Sequence, residues 1–407
     1  MMAAGTAAER GLRVLLAEPN PKLGKKLRIT GKGRCNVTNA CSEREFLNHV
    51  PQNPKFLFSA LAAFPPESAM EFFEGLGVPL KTERGNRVFP CSDNANDVAN
   101  ALAAWLRDLG VTMLRNRVTA IDRDESGAVA GVRTDKGPIP CKAAIVCTGG
   151  VSYPGTGSTG DGYDFARAAG HTLLPPEGSL VPLVSPDWYC PEMAGFSPRN
   201  VTLTALEDGK PIYREMGEML FSHFGVTGPL VLSASAHMRH FGKKQYCLRI
   251  DFKPALDEDA LDARVLRDFE KYKNRDFANA LSDLAPRSLI PVLVRLSGIP
   301  GDTKVHSVTR QQRRALVELL KAFPVNVSGP RPAAEAIVTR GGVSVREINP
   351  RTMESKLLRG LYFAGEVLDL DAYTGGFNLQ IAWCTGYVAG NSVRRKREMK
   401  NFAVAID

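Results

Sequence analysis

Three short apolar runs stand out along the chain, and each one leads into glycine or an acidic residue. They are 13–18, 143–147 and 360–366. Unbroken apolar runs of this kind are typical of parallel strands that are covered on both faces. Between them, apolar and small residues recur at helical spacing, as in 1–10, which Gly11 would end, and in 378–393. The pattern therefore predicts an α/β fold with a parallel sheet.

Other segments of this part of the chain carry shorter signals. Two alternating segments, 112–121 and 128–134, predict an antiparallel pair around the turn at 124–127. Further helices are predicted over 56–64, 68–76 with Ser68 as N-cap, and 96–109, with an extended segment over 81–90.

The middle of the chain has a different order of elements. Strand-like pieces come first, at 179–184, 201–206 and 245–252, and helical ones follow at 257–273, 287–296 and 310–322. Strands followed by helices are typical of an α+β unit. We therefore expect an inserted α+β domain over 175–330, between two parts of the first domain at 1–174 and 331–407.

The residues after the first predicted strand carry an unusual charge. The stretch Lys22–Asn39 holds six basic residues, three glycines and no acid. A strand that ends in a carboxylate, here Glu18, and leads into such a loop suits a dinucleotide whose ribose hydroxyls the carboxylate would bind. The pattern indicates FAD or NAD, with a solvated surface loop as the alternative for the basic run alone.

The usual start of a dinucleotide-binding unit is not visible. Such a unit begins with a strand and a G-x-G-x-x-G turn before its first helix, whereas this chain starts with the small-residue helix 1–10. We therefore expect a sheet that lacks its first strand and glycine turn, through a misplaced start or a truncation. A literal G-x-G-x-x-G at 155–160 follows a loop that contains Pro154. It is expected to approach a ligand rather than to hold a second dinucleotide, with Asp161 capping a helix over 163–169.

Composition narrows the class of protein. The net charge of +9 over 407 residues suits an anionic partner, but the stretch Lys22–Asn39 lacks aromatic residues that could stack on bases, which argues against nucleic acid. The eight cysteines show no CxxC spacing, which predicts reduced thiols and no metal site. No run is long enough to span a membrane and no export signal is visible, so a cytoplasmic protein is expected. The sequence leaves the oligomeric state open.

Three side chains are candidates for catalysis. Cys35 has basic neighbours that should favour its thiolate, although a buried cysteine without a redox role is the alternative. His223 could donate a proton, or it could be a satisfied loop histidine. Tyr153 is a weaker candidate proton donor. A flavin carries hydride chemistry itself, so no catalytic triad is required.

The ends of the last predicted helix have separate roles. Its N-terminus follows Gly375-Gly376 and offers free amides to an anion or a carbonyl oxygen. The basic residues at 394–397 follow its C-terminus, where they are expected to be solvated and to stabilise the helix dipole.

Five ordered motifs carry a resemblance that spans nearly the whole chain. They are G-K-G-R-C-N-V-T-N at 31–39, C-T-G-G at 147–150, F-S-H-F-G-V-T-G-P at 221–229, T-R-G-G-V at 339–343, and F-A-G-E-V-L-D followed by T-G-G-F-N-L-Q within 363–380. The set resembles the BaiN-like flavoproteins, also called the aminoacetone oxidase family. The resemblance implies an α/β, Rossmann-like FAD/NAD(P)-binding domain of the glutathione-reductase type with an inserted α+β domain.

The resemblance also implies which residues would hold FAD. Glu18 would bind the adenosine ribose, and Arg34, Cys35 and Asn36 would lie near the flavin. Gly365 and Glu366 would approach the ribityl-pyrophosphate region, and Gly376, Phe377 and Asn378 would meet the pyrimidine edge. The remaining expected cofactor contacts are Lys25, Val118, Thr148, Gly149, Gly150 and Gly375.

Two classes of function stay open. The first is an FAD-dependent oxidoreductase that transfers hydride between flavin and a small or steroid-like substrate held between the two domains, with NAD(P)H as a transient reductant. The second is a basic nucleic-acid-binding flavoprotein related to tRNA modification. A truncated and inactive flavoprotein is a third alternative.

Overall fold

The computed structural model describes residues 1–394 and 402–407. The predicted basic tail therefore lies outside the described residues from Arg395 to Arg397. No helix in the two described ranges is long and apolar enough to cross a membrane.

The strands are short and spread over the whole chain. In chain order they are β1 (Arg13–Ala17), β2 (Thr38–Asn39), β3 (Leu80–Glu83), β4 (Arg87–Pro90), β5 (Thr112–Leu114), β6 (Val118–Arg123), β7 (Val129–Thr134), β8 (Gly137–Pro140), β9 (Ala143–Val146), β10 (Leu173–Ser179), β11 (Leu183–Val184), β12 (Arg199–Glu207), β13 (Lys210–Glu218), β14 (Leu220–Ser222), β15 (Gly225–Thr227), β16 (Tyr246–Asp251), β17 (Phe323–Val327), β18 (Gly329–Pro330), β19 (Val338–Val343), β20 (Leu361–Phe363) and β21 (Phe402–Ile406).

The α-helices lie between them. They are α1 (Met2–Glu9), α2 (Thr30–Gly33), α3 (Glu43–Asn48), α4 (Phe58–Ala63), α5 (Pro66–Gly75), α6 (Ala95–Asp108), α7 (Asp161–Ala168), α8 (Tyr189–Glu192), α9 (Pro229–Ser235), α10 (Glu258–Lys271), α11 (Phe277–Ala280), α12 (Ile290–Ser297), α13 (Arg310–Lys321) and α14 (Phe377–Ser392).

The central sheet has five parallel strands in the order β20-β9-β21-β1-β5. Its middle strand, β21, comes from the far end of the sequence, and Val404 lies opposite both Leu15 of β1 and Ala144 of β9. The prediction that the sheet lacks this strand is therefore wrong. The position between β1 and β9 is filled, because Phe402–Ile406 supplies the apolar run that was expected before helix α1.

The predicted antiparallel pair begins later than the alternation suggested. Thr112–Leu114 joins the central sheet beside β1, whereas Val118–Arg123 pairs with β7, which also pairs with β8. The break at 115–117 consists of Arg115, Asn116 and Arg117, and no glycine or proline marks it. The alternation over 112–121 therefore ran across two strands of different sheets.

Two helix starts also differ from the prediction. Helix α5 begins at Pro66 after Pro65, so Ser68 is not its N-cap. Helix α7 begins at Asp161 itself, and its N-cap is Gly160 in the left-handed region at φ 87°. The Asp161 carboxylate instead pairs with Arg117 at 2.7 Å.

Helix α1 is buried through its small residues. A Cβ on Gly390 of α14 would lie 2.5 Å from the Ala3 carbonyl oxygen, and one on Gly5 would lie 2.0 Å from the Trp105 ring. Contacts this close leave no room for a side chain, which explains the run of alanine and glycine in α1.

The chain divides into two compact units, one of Met1–Ser179 with Ala333–Asp407, the other of Leu180–Pro332. The sequence placed these boundaries at 174/175 and 330/331. Strand β10 lies in the first unit because it pairs with β19, with Ser179 opposite Val338.

The second unit combines two sheets with helices, in the orders β13-β12-β16-β17 and β14-β15-β11-β18. Along β12, Val201, Leu203 and Ala205 are buried while Thr202 and Thr204 are half-exposed. One face of this sheet therefore lies in the core and the other carries polar residues. Strand β13 was not predicted from the sequence.

Candidate functional site

The carboxyl ends of four neighbouring strands meet at one edge of the central sheet. Glu18 N donates to Leu114 O at 3.0 Å, Asp407 N to Ala17 O at 3.0 Å and Cys147 N to Ile406 O at 2.8 Å. In open α/β sheets this edge is where ligands bind. The backbone thus brings Glu18, Asp407 and the start of the glycine segment at 148–150 to the same edge.

Glu18 is a buried carboxyl group held by one neighbour. Its Oε1 accepts from Asn20 N at 2.7 Å and from Asn20 Nδ2 at 2.9 Å. Burial and the nearby Asp407 carboxylate raise the pKa of Glu18 to about 7, although the Asn20 bonds act in the opposite direction. Donors such as ribose hydroxyls favour the ionised form, so Glu18 suits the predicted contact.

Asn20 connects Glu18 to two other predicted segments. Its Nδ2 donates to Thr156 O at 3.0 Å, and Lys25 Nζ lies 3.5 Å from its Oδ1. A Cβ on Gly157 would lie 2.6 Å from Asn20 Nδ2. The glycine-rich loop at 155–160 therefore lies against the loop after β1. Asn20 was not predicted as a site residue, although an Asn two residues after a strand-end carboxylate is a turn signal that could have identified it.

A second corner of the site collects motifs that are far apart in the sequence. Glu366 Oε2 accepts from Lys26 Nζ at 2.6 Å, and Glu366 Oε1 accepts from Ser152 Oγ at 2.9 Å and from Thr339 N at 2.8 Å. A Cβ on Gly150 would lie 2.2 Å from Thr339 Oγ1 and 3.2 Å from Glu366 Oε1. Glu366 is thus already bound by protein donors. Ser152 and Thr339 were not predicted as site residues, although Thr339 lies within the T-R-G-G motif. Lys26 belongs to the predicted basic stretch.

The loop over 30–36 has an unusual backbone. Gly31, Lys32, Gly33 and Cys35 have φ values of 57°, 59°, 84° and 61°, a conformation that costs free energy for residues other than glycine. The Cys35 side chain is fully buried, and burial raises the pKa of its thiol to about 12. The expectation that basic neighbours favour the Cys35 thiolate is therefore wrong, because loss of solvation outweighs them.

Arg34 is held by acidic partners. Its Nε donates to Asp93 Oδ1 at 2.9 Å, its Nη1 donates to Glu83 Oε2 at 3.3 Å, and the guanidinium lies 4.1 Å from the centroid of the Phe89 ring. These carboxylates raise the pKa of Arg34. Its predicted place near the flavin stays a prediction, and the contacts that it makes here are structural.

The start of helix α14 is fixed against β2. In the amide orientation that satisfies its neighbours, Asn36 accepts from Gly376 N at 3.0 Å and donates to Thr38 O at 3.1 Å. Asn39 Nδ2 donates to Gly375 O at 3.0 Å. Gly376 has φ 99°, and a Cβ there would lie 2.3 Å from Thr38 O. Glycine is therefore required at 376 by a close backbone approach within the protein.

The side chains of the two following residues are also occupied. The Phe377 ring stacks on His49 with centroids 4.5 Å apart. Asn378 accepts from Ala372 N at 2.9 Å and donates to Ala372 O at 2.7 Å. What these residues can offer a ligand is their backbone amides at the N-terminus of α14.

The residues present fit FAD. The Thr148 hydroxyl is buried at the carboxyl end of β9 and has no hydrogen-bond partner among residues 1–394 and 402–407. Next to it, Gly149 has φ 69°. An unsatisfied buried hydroxyl, a strand-end carboxyl group and a glycine cradle are the groups that a dinucleotide uses in this fold.

The remaining predicted residues are placed as follows. Val118 is buried at the start of β6. Tyr153 is half-buried and has φ 51°. His223 belongs to the second unit, where it is exposed between β14 and β15 with Nδ1 3.4 Å from Ser222 Oγ. Their functional roles stay predictions.

The fold and the site together define a Rossmann-type, flavin-dependent oxidoreductase. The chain belongs to the HI0933-like family, because the profile described as "HI0933-like protein Rossmann domain" matches residues 1–392. This confirms the resemblance found in the sequence motifs.

Named relatives match almost the whole chain. A 3-dehydro-bile acid delta(4,6)-reductase of Clostridium scindens is 30% identical over 97% of this chain and 95% of its own length. A ribosomal RNA dihydrouridine synthase of Escherichia coli is 29% identical over 97% of this chain and 95% of its own length. Another, from Haemophilus influenzae, is 30% identical over 97% and 96%.

Solved structures share the fold at low identity. A 3-ketosteroid delta1-dehydrogenase from Sterolibacterium denitrificans has a TM-score of 0.53 and 12% identity, and the match covers 96% of both chains. At this identity the similarity concerns the fold alone.

Proposed function

We propose that this flavoprotein reduces a carbon–carbon double bond conjugated to a carbonyl group. One observation carries the proposal: a bile acid reductase and a dihydrouridine synthase each match 97% of the chain. A 3-oxo steroid with Δ4 and Δ6 double bonds and the uracil ring both contain a C=C bond in conjugation with a carbonyl. The common element of the two names is thus the reaction, not the size of the substrate.

In this proposal, some residues of the chain bind the cofactor and others donate a proton to the substrate. Bound FAD would supply the hydride. Glu18 would accept ribose hydroxyls, Thr148 would donate to the cofactor, and the amides at the start of α14 would bind an anionic or carbonyl oxygen. The substrate carbon next to the carbonyl must take up a proton, and His223 and Tyr153 are the proposed donors.

Our first candidate substrate is a small or steroid-like enone, with NAD(P)H as the reductant. The test uses the purified, FAD-loaded protein under anaerobic conditions. NADPH or NADH should bleach the flavin absorbance near 450 nm, and a 3-oxo-Δ4,6 steroid should restore it with formation of the reduced steroid. If the reduced protein is not reoxidised by this enone or by simpler ones, the small-molecule proposal is wrong.

The second candidate substrate is uridine in RNA. It is favoured by the two ribosomal RNA dihydrouridine synthases among the named relatives. The lack of stacking aromatic residues in Lys22–Asn39 does not bear on the second unit. Mass spectrometry of ribosomal RNA incubated with the reduced protein tests this candidate, because dihydrouridine is heavier than uridine by two hydrogen atoms.

A further inference from the structure

The exposed sheet face of the second unit carries a row of cationic side chains. Cross-strand pairing puts Arg214 of β13 opposite Thr204 of β12, and Thr204 opposite Arg249 of β16. All three residues line a groove of about 440 Å³. Adjacent strands lie roughly 4.8 Å apart, so the two arginines start from backbone positions about 10 Å apart with one hydroxyl between them.

Arg214 and Arg249 are exposed, and neither has a hydrogen bond or an ion pair within residues 1–394 and 402–407. By contrast, Arg313 of the same unit is paired with Asp262 at 2.8 Å. Two unpaired guanidinium groups in one row suit an anion with several oxygen acceptors.

The acidic groups of the groove limit where an anion could bind. Asp251 is paired with Lys321 at 2.6 Å, and Asp257 accepts from Ala260 N at 2.8 Å as the N-cap of α10. Asp257 and Glu258 also line the groove, and neither has a cationic partner in the described part of the chain. An anion is therefore favoured at the row of Arg214, Thr204 and Arg249 and disfavoured beside α10.

We propose that Arg214, Thr204 and Arg249 bind the phosphodiester backbone of the RNA that carries the reacting uridine. The inference rests on the second candidate function given above. Arginine suits this task because its planar group binds two phosphate oxygens at once, and phosphate contacts fix the position of an RNA without reading its sequence. The site thus positions RNA substrates and has no part in the reduction of small enones.

The test compares full-length, FAD-loaded variants. Arg214→Ala/Arg249→Ala removes both cations, and Arg267→Ala/Lys273→Ala is the matched control, because it removes the same charge from exposed residues of this unit that do not line the groove. Binding of a fluorescent 20-nucleotide single-stranded RNA is measured by anisotropy from 50 to 300 mM salt. Each lost phosphate contact lowers the slope of log K against log salt by about 0.7 for single strands.

The expected result is specific to the groove. Arg214→Ala/Arg249→Ala should weaken RNA binding on the order of tenfold at low salt and lower the slope by roughly 1.4, while the flavin spectrum and reoxidation by a small enone stay unchanged. The control should keep its RNA affinity within about twofold. The charge-preserving Arg214→Lys/Arg249→Lys should restore most of the salt slope but less of the affinity, because lysine cannot form the two-pronged contact.

Two results would overturn the site. One is unchanged affinity and slope in Arg214→Ala/Arg249→Ala, and the other is an equal loss in the control, which would mean that only overall charge matters. Failure of the proposed function gives a different result. If wild-type protein forms no dihydrouridine in RNA yet the groove variant alone loses binding, the phosphate site stands and uridine reduction does not.

Discussion

At the scale of single residues, the raised pKa of Glu18 predicts that both stability and FAD affinity depend on pH. Its folded-state pKa of about 7 lies above its ordinary value of 4.5, so its favourable contribution to stability is present below about 4.5 and is lost as the pH rises through 7. FAD binding requires the opposite form, because a carboxylate accepts from the ribose hydroxyls. We therefore expect FAD affinity to rise about tenfold between pH 6 and pH 8.

Glu18→Gln is the variant that tests this assignment. Without flavin, the free energy of unfolding of Glu18→Gln should exceed that of the parent at pH 8 but not at pH 5. The difference should reach up to about 3 kcal/mol for a pKa difference of this size. Its FAD affinity should be lower and independent of pH over this range. A parent protein whose FAD affinity is flat from pH 6 to 8 would contradict the role of Glu18.

Gly376 makes a second prediction at this scale. Gly376→Ala places a Cβ 2.3 Å from Thr38 O at a backbone φ of 99°, and the backbone strain alone costs about 1–3 kcal/mol. The start of α14 must then move, so both thermal stability and flavin content should fall. Gly155→Ala is the control, since its Cβ would meet nothing within 4 Å. Equal melting temperatures for the two variants would contradict this prediction, because they would show that the backbone at 375–377 can shift to accept a Cβ without loss of stability.

A buried cluster of His171, Ser355 and Glu347 has distances that resemble a catalytic triad, but its other hydrogen bonds give it a structural role. His171 lies 2.7 Å from Ser355 Oγ and 3.2 Å from Glu347 Oε2, as in a hydrolase triad. Ser355 Oγ also accepts from Leu357 N at 3.0 Å and from Leu358 N at 2.9 Å, so both of its lone pairs are engaged by backbone donors. Ser355 is buried at 7% exposure. The cluster therefore fixes the loop before β20 and is not a nucleophile.

At the scale of elements, strand β21 gives the sharpest prediction. Val404 is fully buried and lies between β1 and β9. Val404→Pro removes a backbone donor from the middle of the sheet and should cost about 3 kcal/mol or more. The flavin site should fail with it, because β21 leads directly to the edge that holds Glu18.

Thr112→Pro is the control for this strand. Thr112 is exposed at the first position of β5, which is an edge strand of the central sheet among the described residues. Proline is tolerated at such a place. Circular dichroism melts and the ratio of 450 nm to 280 nm absorbance measure both effects. If Val404→Pro has the same melting temperature as Thr112→Pro and keeps its flavin, β21 is not the middle strand of the sheet.

The same strand shows what the sequence could and could not predict. The apolar runs that became β1, β9 and β20 were predicted because each is a local pattern that leads into glycine or an acid. The place of β21 was missed, since parallel pairing is non-local and chain order does not give the order of strands. Glu18, Glu366 and Gly376 were predicted from motifs, but the partners Lys26 and Thr38 depend on contacts between distant segments. Asn20 is a local partner of Glu18 whose turn signal was missed.

At the scale of the whole molecule, each predicted FAD-binding residue belongs to the first unit. The chain enters and leaves the inserted second unit through strands that pair with each other. In that unit, Leu183 pairs with both Val226 and Pro330. In the first unit, Ser179 lies opposite Val338 across β10 and β19. Replacing Leu180–Pro332 by a short glycine-serine linker should therefore leave the pairing of β10 with β19 and the central sheet in place.

This deletion separates cofactor binding from substrate reduction. We expect the shortened protein to fold, to bind FAD in a one-to-one ratio and to show the flavin bands near 370 and 450 nm. Reoxidation of its reduced flavin by an enone should be lost, because the deletion removes His223. RNA binding should also be lost, because the deletion removes Arg214 and Arg249.

Two variants of the full chain supply the comparison. His223→Ala should lose enone turnover alone, and Arg214→Ala/Arg249→Ala should lose RNA affinity alone. A shortened protein with a cooperative melt but no bound flavin would mean that Leu180–Pro332 contributes to the FAD site, and the assignment of that site to the first unit would be wrong.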